Sequence, residues 1–174
     1  LGAGGAIIVG AWISHKDNGA ISNVNILSNN IGIERANKLI KIMESKDNLK
    51  TLCGFSGDET ELDLSKKNLS AGCGVLVANE VKNNGAMVKF DVSSNNLRAE
   101  GGKALGEALK DNQVLQELNV AGNMLIYKAD ANSEADTDMA GVITISNAIP
   151  TMGALASVNI LSNDIGANQA NKLI

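Results

Sequence analysis

Apolar residues recur along this chain in a fixed unit. Met87, Phe90 and Val92 are followed by Asn95 and Leu97, and Leu115, Leu118 and Val120 by Asn123 and Leu125. Corresponding positions lie 28 residues apart, a spacing typical of stacked repeats. Within each unit the apolar pair two residues apart predicts a short strand with one buried face. After it, small or apolar residues fall at i, i+4 and i+8 and predict a helix with one inward face. The predicted helices are Ser70 to Val81 (Cys73, Val77, Val81), Arg98 to Leu109 (Gly101, Leu105, Leu109) and Ala140 to Ile149 (Gly141, Ile145, Ile149). Arg35, Leu39 and Met43 hold the same register, with Ala36 filling in for Arg35.

The strand columns extend to both ends, at Ile21, Val24, Ile26, Asn29, Ile31 and at Leu155, Val158, Ile160, Asn163, Ile165. Residues 19–40 and 153–174 agree at 15 of 22 positions. Between the first unit and Phe90 the pattern is interrupted. Leu49 and Leu52 begin a strand on time, but Leu62, Leu64 and Leu69 arrive 10 residues late, so Phe55 to Glu61 (FSGDETE) reads as a loop inserted into the second strand. Lys67 holds the Asn column there, with Asn68 one place late, and this turn is expected to be the least regular. A second, acidic insertion, IYKADANSEADTD, follows Leu125. Leu1 to Ile13 is too short to span a bilayer and is expected to be the first helix. With no initiator Met and an end inside a helical pattern, the chain is expected to be part of a longer or processed protein.

Composition narrows the picture. Aromatic residues are only 2% of the 174, so the core must be built of Leu, Ile, Val, Ala and Met, which suits small stacked layers. A net charge of −4 and the lack of a basic run disfavour nucleic acid as a partner. Cys53 and Cys73, without a CxxC, give neither a disulfide framework nor a zinc site, so an intracellular setting, cytoplasmic or organellar, soluble or peripheral, is expected. A Ser/His/Asp or Cys/His arrangement could only use the single histidine, His15, which lies at a predicted helix end with no positioned nucleophile in reach by any sequence argument. The Gly-rich start, GAGGAIIVG, follows no strand and lacks the third glycine of a dinucleotide site. No enzyme activity, cofactor or metal is expected.

The repeated LxxLxLxxNxL resembles the leucine-rich repeat family, in its long-repeat, ribonuclease-inhibitor-like class, with four full matches and one interrupted match. The resemblance implies an α/β solenoid, a horseshoe with parallel strands on the concave face and helices on the convex face. It implies one array over residues 1–174, of about five strand–helix units. It also implies that the Asn column hydrogen-bonds backbone groups in the turn leaving each strand. The family implies protein recognition without catalysis: an interaction module, scaffold or accessory subunit of a large multiprotein complex. The alternative is a regulatory or sensor array, similar to innate-immune-type receptors or activators of small GTPases, whose acidic loops bind a partner or cation.

On that reading the residues between the strand leucines line the concave face. Its central column is Asn25, Asp63, Asp91, Asn119 and Asn159, flanked by Lys89, Glu117 and small polar residues. Either this is a partner-binding surface or a solvated strand face. Asp130, Asn132, Glu134, Asp136 and Asp138 alternate as in a calcium loop, but Ala135 stands where such a loop needs Gly and Gly141 where it needs Glu. Trp12 occupies the column of Ala78, Gly106 and Ser146 and is expected either to cap the first layer or to contact an upstream repeat or partner; His15 occupies that of Val81, Leu109 and Ile149.

Overall fold

The computed structural model describes residues 2–15, 20–128 and 137–166. Helices α1 (Gly2–Ser14) and α2 (Ile33–Glu44) come first, then β1 (Glu61–Asp63), α3 (Ala71–Val81), β2 (Lys89–Asp91), α4 (Arg98–Leu109) and β3 (Glu117–Asn119). A short pair, β4 (Tyr127–Lys128) and β5 (Thr137–Asp138), precedes α5 (Ala140–Ala148), a 3-10 turn (Ile149–Thr151) and β6 (Ser157–Asn159). The class is mixed α/β. One parallel sheet has the order β1-β2-β3-β6, and β4 pairs antiparallel with β5.

The sequence period is expressed as strand register. Leu62 lies opposite Phe90, Phe90 opposite Leu118, and Leu118 opposite Val158. Parallel neighbours need a long crossover, and each helix is that crossover. The longer spacing before β6 is absorbed by the β4–β5 pair outside the sheet, so the register does not slip.

The inward row of the sheet and the inward faces of the helices form one apolar cluster. Met87, Phe90, Val92 and Leu97, like Leu115, Leu118, Val120 and Leu125, are buried. Neighbouring helices α4 and α5 approach through glycine: a Cβ at Gly141 would lie 2.8 Å from the carbonyl oxygens of Ala99 and Leu125. The small residue in the helix column is thus a steric requirement. Helix α5 stops one residue before its predicted end, because Pro150 lacks an N–H and the chain tightens into the 3-10 turn.

The predicted insertion is present. Thr51 to Cys53 pair with the first unit: Val24 N donates to Thr51 O (3.0 Å), Ile26 N to Leu52 O (2.9 Å) and Lys50 N to Ser22 O (2.7 Å). After the loop, Glu61 to Asp63 pair with β2. The interrupted strand therefore serves two neighbours, one with each half.

Two expectations need correction. The turn leaving β1 is not the irregular one: Lys66 (φ 56) and Asn68 (φ 53) adopt the left-handed conformation also found at Ser162 (φ 55) and Asp164 (φ 60). It is held from the next unit, since Asn95 Oδ1 accepts from Lys67 N (3.0 Å) and Leu69 N (2.9 Å). Helix α1 forms as expected, but Ile13 enters the core at 2% exposed while Trp12 is 52% exposed, so Trp12 does not close the layer. His15 is exposed as well, so neither residue follows the helix column read for it. With apolar residues on every side, α1 carries no pattern that fixes which face turns inward.

Candidate functional site

The side of the sheet away from the helices carries two rows in register. One is Glu61, Lys89, Glu117 and Ser157; the other is Asp63, Asp91, Asn119 and Asn159. The first row is exposed throughout, and the second is exposed or half-buried. Lys89 Nζ lies 3.1 Å from Glu117 Oε2. This hydrogen bond, with the charges of Glu117, Glu61 and Asp91, raises the Lys89 ammonium above its ordinary range.

The second row has a job inside the fold. Asp63 Oδ1 accepts from Ser65 N (2.8 Å) and Asp91 Oδ1 from Ser93 N (2.8 Å). Asn119 Oδ1 accepts from Ala121 N and Asn159 Oδ1 from Leu161 N, both at 3.2 Å. Asn25 does the same with Leu27 N (3.1 Å). Short side-chain acceptors of this kind bond the backbone two residues on, which accounts for Asn or Asp at all five positions. The bond from Ser65 N also holds the Asp63 carboxyl below its usual range. Asn119 Nδ2 additionally donates to Asp91 Oδ2 (2.8 Å).

The column read from the sequence is therefore four residues long in the sheet. Asn25 lies opposite Cys53, not Asp63, because the insertion displaces β1 from its neighbour. Conversely, Glu61 belongs to the exposed charged row and was hidden in the sequence inside FSGDETE. Its only signal is its place immediately before Leu62, where alternation sends it outward.

The first inserted loop folds its acids onto itself. Glu59 accepts from Ser56 N (2.6 Å) and Gly57 N (3.0 Å). Partial burial pushes this carboxyl up, but the hydrogen bonds from Ser56 and Gly57 outweigh it and leave the group below its usual range. Asn84 Nδ2 donates to Glu59 O (3.0 Å), tying the loop to the end of α3.

Beneath it, Glu80 of α3 accepts from Leu52 N (2.6 Å), Cys53 N (3.0 Å) and Thr51 Oγ1 (2.7 Å). These N–H groups belong to the half-strand that the insertion cuts off. Glu80→Ala is expected to cost about 2–3 kcal/mol, since charged acceptors are the strong ones and their removal leaves donors of the buried residues Leu52 and Cys53 without this partner. Urea denaturation measures the loss, and hydrogen exchange should localise it to Leu52 and Cys53. Burial pushes the neighbouring Cys53 thiol far up, so it is no nucleophile at neutral pH.

Asp138 Oδ1 accepts from Ala140 N (2.9 Å) at the start of α5. The rest of the calcium-like series, Asp130, Asn132, Glu134 and Asp136, lies outside the described residues. Among the described residues, no three His, Cys, Asp or Glu side chains are grouped to hold a metal ion. Neither the family models nor the curated proteins searched contain a match to this chain.

Proposed function

We infer that the chain is a leucine-rich repeat solenoid and that it works as a non-enzymatic protein-interaction module, a scaffold or accessory subunit of a larger assembly. The observation that carries this reading is the register. Positions 28 residues apart in sequence pair directly in the sheet, and the same polar columns are thereby stacked on one uncovered face. A second support is the Asn column, whose members bond turn carbonyls as the repeat resemblance implies. Binding information resides in the row Glu61, Lys89, Glu117 and Ser157, whose residue types the fold does not require. Its opposite charges favour a partner surface that interleaves both signs. The molecule acts inside the cell, soluble or peripheral; no helix among the described residues is long and apolar enough to cross a membrane.

The test is a double variant, Glu61→Arg with Ser157→Arg. Both residues are exposed, so unfolding is expected to stay within about 0.5 kcal/mol of the parent. Affinity capture from the native source, compared by mass spectrometry, should lose the partners that the parent retains. Retention of every partner by a normally folded variant excludes the sheet face as the binding surface.

A further inference from the structure

Members of the Asn column hold the turn one unit earlier in the chain. Asn95 Oδ1 accepts from Lys67 N (3.0 Å) and Leu69 N (2.9 Å), and Asn163 Oδ1 from Asn123 N (2.8 Å) and Leu125 N (3.4 Å). By the same rule Asn123 Oδ1 should receive Asn95 N and Leu97 N. It receives neither, and the atom is buried without a hydrogen-bond partner in a residue 0% exposed. Asn123 Nδ2 still makes its three bonds to Val92 O, Val120 O and Ala121 O. The side chain is therefore seated as its equivalents are, and the departure lies in the turn that faces it.

The residue after the column is left-handed at Asn30 (φ 47), Asn68 (φ 53), Met124 (φ 51) and Asp164 (φ 60). In the turn leaving β2 that residue is Asn96, yet the left-handed residue there is Arg98 (φ 57). The equivalents of Arg98 are Gly32 (φ −77, ψ 157) and Ser70 (φ −81, ψ 172), the extended N-caps of α2 and α3. Helix α4 accordingly starts one residue early, with Leu97 as its cap. The changes at Asn96 and Arg98 bracket Leu97 and reorient its peptide groups, which takes Leu97 N away from Asn123 Oδ1. In exchange, Asn96 N donates to Leu69 O (2.8 Å) and Arg98 N to Asn123 O (2.9 Å).

The residue types do not require this arrangement. Asn tolerates the left-handed region far better than arginine does. The turn thus places its strain on the less suited residue and leaves a buried acceptor open, two costs that the equivalent turns avoid. Against them stand the two exchanged bonds. Arg98 also lacks the side-chain acceptor with which Ser70 caps α3 through Cys73 N (3.4 Å), so an extended Arg98 gains no cap.

We propose that residues 96–98 form a two-state turn. The second state is the conformation of the equivalent turns: Asn96 left-handed, Arg98 extended as the cap of α4, and Leu97 N bonded to Asn123 Oδ1. The exchange links the interior to the surface. Asn96 and Arg98, with Arg35 and Ser70, line a cleft of about 580 Å³ at the N-terminal ends of α2, α3 and α4. The bond to Asn123 forms only when Arg98 changes its place in that wall. A contact that fixes Arg98 there biases the turn, and with it the hold of one unit on the next.

The test uses the full chain, labelled for NMR. A strong NOE between a residue's own amide and α protons marks positive φ, where the two lie close. The parent should show it at Arg98 and not at Asn96, with the Leu97 amide exchanging freely. Arg98→Ser supplies the missing cap, and the ratio of the NOE at position 96 to that at 98 should rise about fivefold. Arg98→Pro fixes φ near about −65° and forbids the described state. It should fold with the NOE at Asn96 and with exchange of the Leu97 amide slowed by about tenfold or more. An unchanged ratio in Arg98→Ser overturns the proposal, and decides alone if Arg98→Pro unfolds. A folded Arg98→Pro variant without positive φ at Asn96, or with Leu97 unprotected, overturns it as well. A parent whose NOE already stands at Asn96 rests in the second conformation, and overturns the bias toward the first.

Discussion

Asn95→Leu is expected to lower stability by about 3–5 kcal/mol, a large part of the roughly 5–15 kcal/mol that holds a domain of this size together. The side chain is 4% exposed. Its Nδ2 donates to Leu64 O (2.9 Å), Val92 O (2.9 Å) and Ser93 O (3.1 Å), and its Oδ1 accepts from Lys67 N (3.0 Å) and Leu69 N (2.9 Å). Leucine keeps the same branched heavy-atom skeleton, is bulkier, and offers none of these partners. Each backbone group left unpaired in the interior costs about 1–3 kcal/mol, and the turns on both sides relax only in part. Related positions rank the effect. Asn123 has the same three donor bonds, to Val92 O, Val120 O and Ala121 O, but its Oδ1 is unpartnered. Asn29 is half-buried, where water can replace lost bonds. Urea unfolding should therefore place the losses in the order Asn95, Asn123, Asn29. A parent-like midpoint for Asn95→Leu, at unchanged slope, means that the Asn column does not tie the units together.

That column shows what was legible in the sequence. Its period, with the strand leucines and helix faces, located the sheet strands and α3 to α5 within a residue or two and gave the register of α2, because burial repeats wherever stacked units repeat. What the period could not show was which residues meet across the sequence. Glu80 reaches Leu52 N from 28 residues away, and no local pattern announces a carboxylate that caps another unit's broken strand. Glu61 looked like loop because acid and Thr surround it, yet pairing with Lys89 makes it part of the exposed row. Alternation correctly sent Asp63, Asp91 and Asn119 outward. It could not tell that their oxygens bond the backbone two residues on, so residue types that suggested a binding surface are partly explained by strand geometry. The turn at Lys67 was misjudged for a related reason: the Asn that holds it belongs to the following unit.

Val120→Asp should abolish folding at neutral pH. Val120 is fully buried, its N–H donates to Asn159 O (2.9 Å), and its carbonyl oxygen accepts from both Asn123 Nδ2 and Asn163 Nδ2 (3.0 Å each). The residue thus sits where the ladder and two members of the Asn column converge. An ionised carboxylate here has only apolar neighbours on the inward row, and the cost of burying it unpaired exceeds about 5 kcal/mol, comparable with the whole stability. Val120→Ala removes two methyl groups and is expected to lose only about 2 kcal/mol. The pH dependence separates charge from shape. A buried aspartate has its folded pKa raised above the unfolded value of about 3.9, so the variant's deficit is smallest below that value and grows as pH rises through the folded pKa. Circular dichroism from about pH 3.5 to 7 should show partial recovery of structure in acid, relative to the parent at the same pH. Ala121→Asp puts the same charge one residue later, on the opposite face of the chain. Its effect is expected to stay within about 0.5–1 kcal/mol; equal damage from the two substitutions is incompatible with a strand that buries Val120 and turns its neighbour out.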